Sequence, residues 1–110
     1  MPVDEHDLRR ARNEALFRAL NEQIVHLDGE GEVLVLDLVC ECASAACMKV
    51  VGVPSGAYES VRASSTEFIV APGHEAPDIE DVVERHDGYV VVDKRGEAAV
   101  LAERTDPRDA

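Results

Sequence analysis

The sequence is poor in aromatic residues, lacks tryptophan, and has no long apolar run. Its 110 residues include only two phenylalanines and two tyrosines, so valine, leucine, isoleucine and alanine must supply the core. A chain of this size buries a modest core, about 65% of its unfolded surface, and a structural metal would add useful stability. A membrane-spanning helix needs about 20 consecutive apolar residues. The chain contains no such run, and we expect no membrane partner.

Positive charge is also scarce. The chain has 11 Lys and Arg residues and 23 Asp and Glu residues, which gives a formal net charge of −12. Nucleic-acid binding through phosphate neutralisation needs clustered Lys and Arg, so we expect no nucleic-acid partner. The basic cluster of Arg9, Arg10 and Arg12 lies among acids in a predicted helix and is interpreted as a solvated face. An acidic surface of this kind would suit a basic protein partner.

The beginning of the chain, "MPVDEHDLRR", does not resemble a secretory signal. It has acids where a signal peptide has a basic start followed by an apolar run. We therefore expect a cytoplasmic protein. In that compartment cysteines stay reduced, and clustered ones are more often ligands or catalysts than disulfides.

The alternation of helical and strand patterns predicts an α+β fold with a small, mostly antiparallel sheet, a long N-terminal helix and short helices. Four stretches have strand character, namely 31–40, 48–53, 66–72 and 89–94. Residues 54–64 favour a helix, 76–86 a short helix or turn, 95–104 a final helix or extended tail, and 105–110 a frayed end. We expect residues 1–110 to form a single zinc-binding domain, with the first two strands as a hairpin.

The segment "DEHDLRRARNEALFRALNEQIVHL" predicts an amphipathic helix of about six turns. Its apolar residues recur mostly at three- and four-residue steps: Leu8, Ala11, Ala15, Leu16, Ala19, Leu20, Ile24 and Leu27. We expect this helix to pack across the sheet. The same helix could also form the seam of a homodimer.

Three cysteines, the only ones in the chain, fall within eight positions of "CECASAAC". Positions i and i+2 of an extended strand point the same way, so Cys40 and Cys42 can share a face, and the small "ASAA" turn can return Cys47 to them. Zinc binds thiolates and imidazoles in a tetrahedron. The pattern therefore favours a metal site, while buried space-filling cysteines and a thiol redox site are the alternatives.

A fourth ligand is needed to close a tetrahedral site. His74 lies in "APGHEAP", directly after a predicted strand and between glycine and proline residues that hold a loop in a fixed direction. We predict that Cys40, Cys42, Cys47 and His74 bind Zn²⁺, with Glu41 and Glu75 as acceptors for the other N–H of a ligand imidazole. His26, His86 or an external ligand could replace His74.

The chain has a helix of the type "RARNEALFRALNEQI" followed by three segments, "CECASAAC", "AYESVRASSTEFIVAPGHE" and "VVERHDGYVVVDK". Together they resemble a family of small uncharacterised actinobacterial proteins, over nearly the whole chain. Members of that family share the three cysteines and the "PGHE" segment. The resemblance therefore implies the same four ligands here, and it implies no activity.

Four protein ligands would leave no coordination position for water, which a catalytic zinc needs. The sequence thus favours a structural site in a non-enzymatic protein that contacts another protein. One alternative is a thiol-based redox sensor that releases zinc when its thiolates are oxidised. A second is a small zinc enzyme with an open position, if His74 does not bind. An iron–sulfur cluster ranks below zinc.

Overall fold

The computed structural model describes residues 5–27, 35–42, 44, 46–47 and 49–108. The chain is an α+β protein, as the sequence predicts. Its elements in order are α1 (Glu5–Leu27), β1 (Val35–Val39), β2 (Val50–Pro54), α2 (Ser55–Arg62), β3 (Glu67–Val70), β4 (Glu80–His86), β5 (Tyr89–Lys94) and α3 (Gly96–Arg104). None of the helices in these ranges is long and apolar enough to cross a bilayer.

The strands form two small antiparallel sheets. β1 pairs with β2 in the predicted hairpin, and β5 lies between β3 and β4 in the other sheet. The hairpin alternates buried and exposed residues, so Leu36, Leu38, Val51 and Val53 point into the core. In the central strand β5 the residues 89–92 are all buried, as expected for a strand covered on both faces.

Helix α1 forms where the sequence predicts it and packs against the sheets, with contacts to Val39 of β1 and Lys94 of β5, but it does so mainly through a polar face. The side chains that face the core are Glu14, Arg18 and Asn21, while Leu16 and Leu20 are 65% and 45% exposed. Of the predicted apolar face, Ile24 packs against the core. The side chains of Leu8 and Leu27 lie outside the described part of the chain.

The polar face of α1 can be buried because each side chain on it has a partner, although Nε of Arg18 itself has no hydrogen-bond partner among the described residues. The ammonium of Lys94 donates to both Glu14 and Glu80, and all three side chains are almost completely buried. The guanidinium of Arg18 donates to the carbonyl of Ser65 at 2.6 Å and to that of Ala102 at 2.7 Å. Buried polar groups cost little free energy when they are hydrogen-bonded in this way.

Two predictions near the C-terminus need correction. The stretch expected as a short helix or turn contains strand β4, whose pairing with β5 shifts register between Val82 and Glu84. The predicted frayed end is tied down at Asp106, which is buried and accepts a hydrogen bond from Arg62. The segment expected as a final helix or extended tail is helix α3.

Candidate metal centre

The structure brings the three cysteines and His74 into one cluster. The three sulfur atoms and a ring nitrogen of the histidine all lie within 4.8 Å of one another. Nδ1 of His74 lies 3.6 Å from Sγ of Cys40 and 3.5 Å from Sγ of Cys47. All three cysteines are free of disulfides. Four soft donors are therefore positioned to bind one metal ion.

The two nitrogen–sulfur distances match tetrahedral coordination. With a Zn–S bond of about 2.3 Å and a Zn–N bond of about 2.0 Å, a regular tetrahedron separates nitrogen from sulfur by about 3.5 Å. An imidazole N–H directed to a sulfur could serve only one such acceptor well. Here the same nitrogen is equidistant from two sulfurs, so a cation among them accounts for the arrangement better than a hydrogen bond does.

Backbone hydrogen bonds position the first two cysteines between the two sheets. The amide of Cys40 donates to the carbonyl of Lys49 at 3.0 Å, which extends the hairpin beyond β1. The amide of Glu41 donates to the carbonyl of Ile69 at 2.8 Å. The amide of Ala71, which follows β3, donates to Sγ of Cys40 at 3.0 Å. An N–H directed at a sulfur stabilises the thiolate form, which is the form that binds metals.

The histidine reaches the cluster through a tight loop after β3. The amide of His74 donates to the carbonyl of Ala71 at 3.0 Å, which closes a turn. Gly73 has a φ of 88°, a conformation that favours glycine because other residues place Cβ against the backbone there. The sequence prediction that a loop punctuated by proline and glycine directs His74 to the cysteine hairpin is consistent with this geometry.

Burial controls the protonation of Cys40 and Cys42. It raises the pKa of the Cys40 thiol and that of the Cys42 thiol, because a thiolate loses its hydration in the interior. Cys40 and Cys42 are 1% and 4% exposed, and Cys47 is half-buried. Protonated thiols would be the stable form in this environment unless a cation is bound, and a divalent ion would supply that compensation.

The role predicted for Glu41 as an acceptor for an imidazole is wrong. Its carboxylate is fully buried and accepts hydrogen bonds from Nδ2 of Asn21 at 2.7 Å and from the amide of Ile69 at 2.9 Å. The reason is the strand alternation that aligns Cys40 with Cys42. The residue between them points to the opposite side, towards α1.

Glu75 also has other partners in the structure. Its carboxylate accepts from the amide of Gly73 at 2.6 Å and from Arg85 at 3.5 Å. Together with Cys42, Ser44, Gly73 and His74, it lines a cavity of about 330 Å³ beside the cluster. The carboxylate therefore stabilises the loop that carries His74.

The alternative histidines lie elsewhere in the described part of the chain. His26 is on the exposed side of α1. His86 is paired with Glu84 at 2.7 Å and stacks on Tyr89. Sequence reasoning missed Asn21 and the amide of Ala71, which hold the cluster in place. No sequence motif identifies them, because each forms hydrogen bonds with a residue that is distant along the chain.

Comparisons with known proteins give no relative. No protein-family model matches the chain, and no curated protein or solved structure matches it. The resemblance to a family of small actinobacterial proteins therefore remains a prediction. The functional argument depends on the geometry of the site.

Proposed function

We propose that the protein is a zinc-binding module in which Cys40, Cys42, Cys47 and His74 hold one structural Zn²⁺. The observation that carries the proposal is the convergence of His74 Nδ1 on two sulfurs at the separation that a tetrahedral ion requires. Three thiolates and an imidazole form a frequent ligand set of structural zinc. Calcium and magnesium prefer oxygen ligands, which this cluster does not offer.

A structural role is favoured over a catalytic one by the number of donors. Four protein ligands complete a tetrahedron and leave no position for an activated water. Three thiolates also donate charge to the ion and reduce its Lewis acidity. The site joins the hairpin of β1 and β2 to the end of β3, so the bound ion would connect the two sheets.

Elemental analysis of the purified protein tests this proposal. We expect one zinc per chain in the wild-type protein and in His86→Ala, and less than one tenth of that in Cys42→Ser. His86 is the matched control because its ring is exposed and paired with Glu84. A wild-type protein purified without stoichiometric metal, and unable to take up Zn²⁺ on titration, would contradict the proposal.

We further propose that this module contacts a basic protein. The support is the formal net charge of −12 and the exposed acids Asp81, Glu84 and Asp87 of the β4–β5 hairpin, which outnumber the exposed Arg85 among them. Opposite charge promotes association mainly by steering encounter. The double change Asp81→Lys with Glu84→Lys should abolish the binding of a lysine-rich peptide, whereas Glu97→Lys with Glu103→Lys, an equal change of charge on α3, should retain most of it.

A second candidate function is oxidative release of the metal. It is favoured by the half-buried position of Cys47 and by the cavity that opens beside Cys42. The thiolates of Cys42 and Cys47 would give two electrons to a peroxide. A disulfide would form between them while the O–O bond of the peroxide breaks. The two peroxide oxygens would take up two protons and leave as two waters, or as water and an alcohol. The ion, left with two ligands, would dissociate.

Zinc release under peroxide, followed with a chromogenic chelator, separates the two functions. A sensor should lose its zinc in step with a disulfide that joins Cys42 to Cys47, as mapped by mass spectrometry. A purely structural site should keep its zinc under the same treatment. Cys40 is buried, and its sulfur accepts a hydrogen bond from the amide of Ala71. We expect it to stay reduced in either case.

A further inference from the structure

Helix α1 presents an exposed seam of regular spacing. Along this seam Arg9, Asn13, Leu16, Leu20 and Gln23 recur at steps of four, three, four and three residues, and all are exposed except Asn13, which is half-buried. This is the spacing of the a and d positions of a coiled coil. The two leucines at its centre are among the most exposed large apolar side chains in the described residues, although the helix buries Glu14, Arg18 and Asn21 on its other side.

A groove continues this apolar surface towards α3. Its volume is about 440 Å³, and it is lined by Ala11, Arg12, Ala15, Leu16, Leu101 and Thr105. Alanines at 11, 15 and 19 keep the helix surface narrow between the groove and the leucines. Small residues allow a second helix to approach closely.

The order of residues along the seam fits a second copy of the same helix in the antiparallel direction. When Leu16 of one copy faces Leu20 of the other, Asn13 faces Gln23, and both pairs occur twice because of the two-fold symmetry. A parallel pairing would instead place Arg9 against Arg9.

The charges of α1 complement this arrangement. Between residues 9 and 26 the only acids are Glu14, which is buried against Lys94, and Glu22, which is paired with Arg62 and Arg108. The exposed charges of this stretch are therefore cationic in a protein of net charge −12. In the antiparallel register Arg9 and Arg12 lie beside the C-terminal end of the opposite helix, where its macrodipole is negative.

We propose that the protein is a homodimer held by an antiparallel pair of α1 helices, with Leu16 and Leu20 at the centre. The proposal does not depend on the metal. It assigns a role to the leucines that α1 leaves outside the core. The groove beside α3 would receive the flank of the opposite helix.

Sedimentation velocity of the purified full-length protein tests the dimer. We expect twice the chain mass of 12.0 kDa for the wild type. Leu16→Glu should raise the dissociation constant at least about 30-fold, the effect of losing a central interface residue. Val83→Glu, at a comparably exposed apolar position on β4, should leave the dimer intact.

A charge exchange tests the orientation. The double variant Asn13→Glu with Gln23→Glu should dissociate, because the antiparallel register brings like charges together. Asn13→Glu with Gln23→Lys should restore the dimer through two opposite-charge pairs. If the second variant also dissociates, the antiparallel register is wrong. A monomeric wild type, or a Leu16→Glu protein with unchanged mass while helix content by circular dichroism is retained, would overturn the proposal.

Discussion

The side chain of Asn21 on α1 donates a hydrogen bond of 2.7 Å to Oε2 of Glu41, the residue between two of the clustered cysteines. The same amide donates to the carbonyl of Val39 at 2.9 Å and accepts from its N–H at 2.8 Å. Asn21 thus satisfies the backbone at the end of β1 and the buried carboxylate together. Through this residue the long helix supports the strand that carries the metal cluster.

Replacement of Asn21 by alanine should lower the free energy of unfolding by about 3 kcal/mol, because it leaves a buried amide, carbonyl and carboxylate oxygen without partners. Urea denaturation of the metal-loaded protein measures the change. His26→Ala removes an exposed polar side chain from the same helix and should cost less than about 0.5 kcal/mol. Equal losses for the two variants would mean that the Asn21 contacts contribute little.

Removal of the imidazole should weaken metal binding without abolishing it. His74→Ala leaves three sulfurs, so water could take the fourth position. Loss of a residue that only hydrogen-bonds to a metal ligand typically weakens metal binding ~10–100-fold. We expect the zinc dissociation constant of His74→Ala to rise by more than that. Competition with a chromogenic chelator measures this, with His86→Ala as the control. An unchanged affinity would remove His74 from the ligand set.

The lysine buried between Glu14 and Glu80 provides a test of pH dependence. Burial raises the pKa of Glu14, and Lys94 opposes the rise. A raised carboxyl pKa means that the folded state holds the proton more tightly, so this contribution to stability declines as the pH rises above the unfolded value of 4.5. Lys94→Met should strengthen this decline.

We expect Lys94→Met to lose about 3–5 kcal/mol at neutral pH, the cost of leaving buried charge unpaired. The loss should be smaller at about pH 5, where protonation of Glu14 relieves it. Thermal melts across this range measure the difference. Lys49→Met removes an exposed lysine and should show no such trend. A Lys94→Met protein as stable at neutral pH as the wild type would contradict the assignment of the buried cluster.

Arg108, near the C-terminus, should contribute stability with the opposite pH dependence, because its contribution should fall as the pH falls. Arg108 donates to Glu59 at 2.9 and 3.0 Å and also binds Glu22. Its hydrogen bonds lower the pKa of Glu59. A lowered carboxyl pKa contributes stability that is present above the unfolded value of 4.5 and is lost as the pH falls through the folded value.

Replacement of Arg108 by alanine should therefore cost about 1 kcal/mol at neutral pH, a small effect because Glu59 is half-exposed and solvent screens the pair. The difference from the wild type should shrink below about pH 4. Arg104→Ala, at an exposed position on α3, is the control. A difference that grows on acidification would show that Arg108 acts by another route.

The hairpin and the cysteine cluster were accessible from the sequence because their signals are local. Valine- and leucine-rich stretches on both sides of a turn predict paired strands, and the spacing of Cys40 and Cys42 predicts a shared face. The same alternation should have directed Glu41 away from the metal. That inference needed a second element to receive its carboxylate, and nothing near Glu41 in the sequence identifies Asn21.

Strand β4 was mistaken for a helix or turn because of one irregular residue. Ile79, Val82 and Val83 follow the three- and four-residue steps of a helix. In the structure the register of β4 on β5 shifts between Val82 and Glu84, and Val83 is 46% exposed. A bulge inserts an extra residue and breaks strand alternation. The apolar residues of this stretch therefore do not recur at every second position.

The face through which α1 packs could not be predicted, because apolar periodicity identifies a helix but not what covers each of its faces. Glu14 and Arg18 are buried by partners as distant as Lys94 and Ala102. Only the tertiary structure shows which distant groups form hydrogen bonds with these side chains. The exposed leucines are then left for another surface.

X-ray absorption at the zinc edge of the purified protein tests the central claim most directly, because it counts the atoms bound to the ion. We predict a shell of three sulfurs at about 2.3 Å and one nitrogen at about 2.0 Å, with one sulfur fewer in any metal that Cys42→Ser retains. A shell of oxygen and nitrogen alone, or zinc absent from the wild-type protein, would contradict the account.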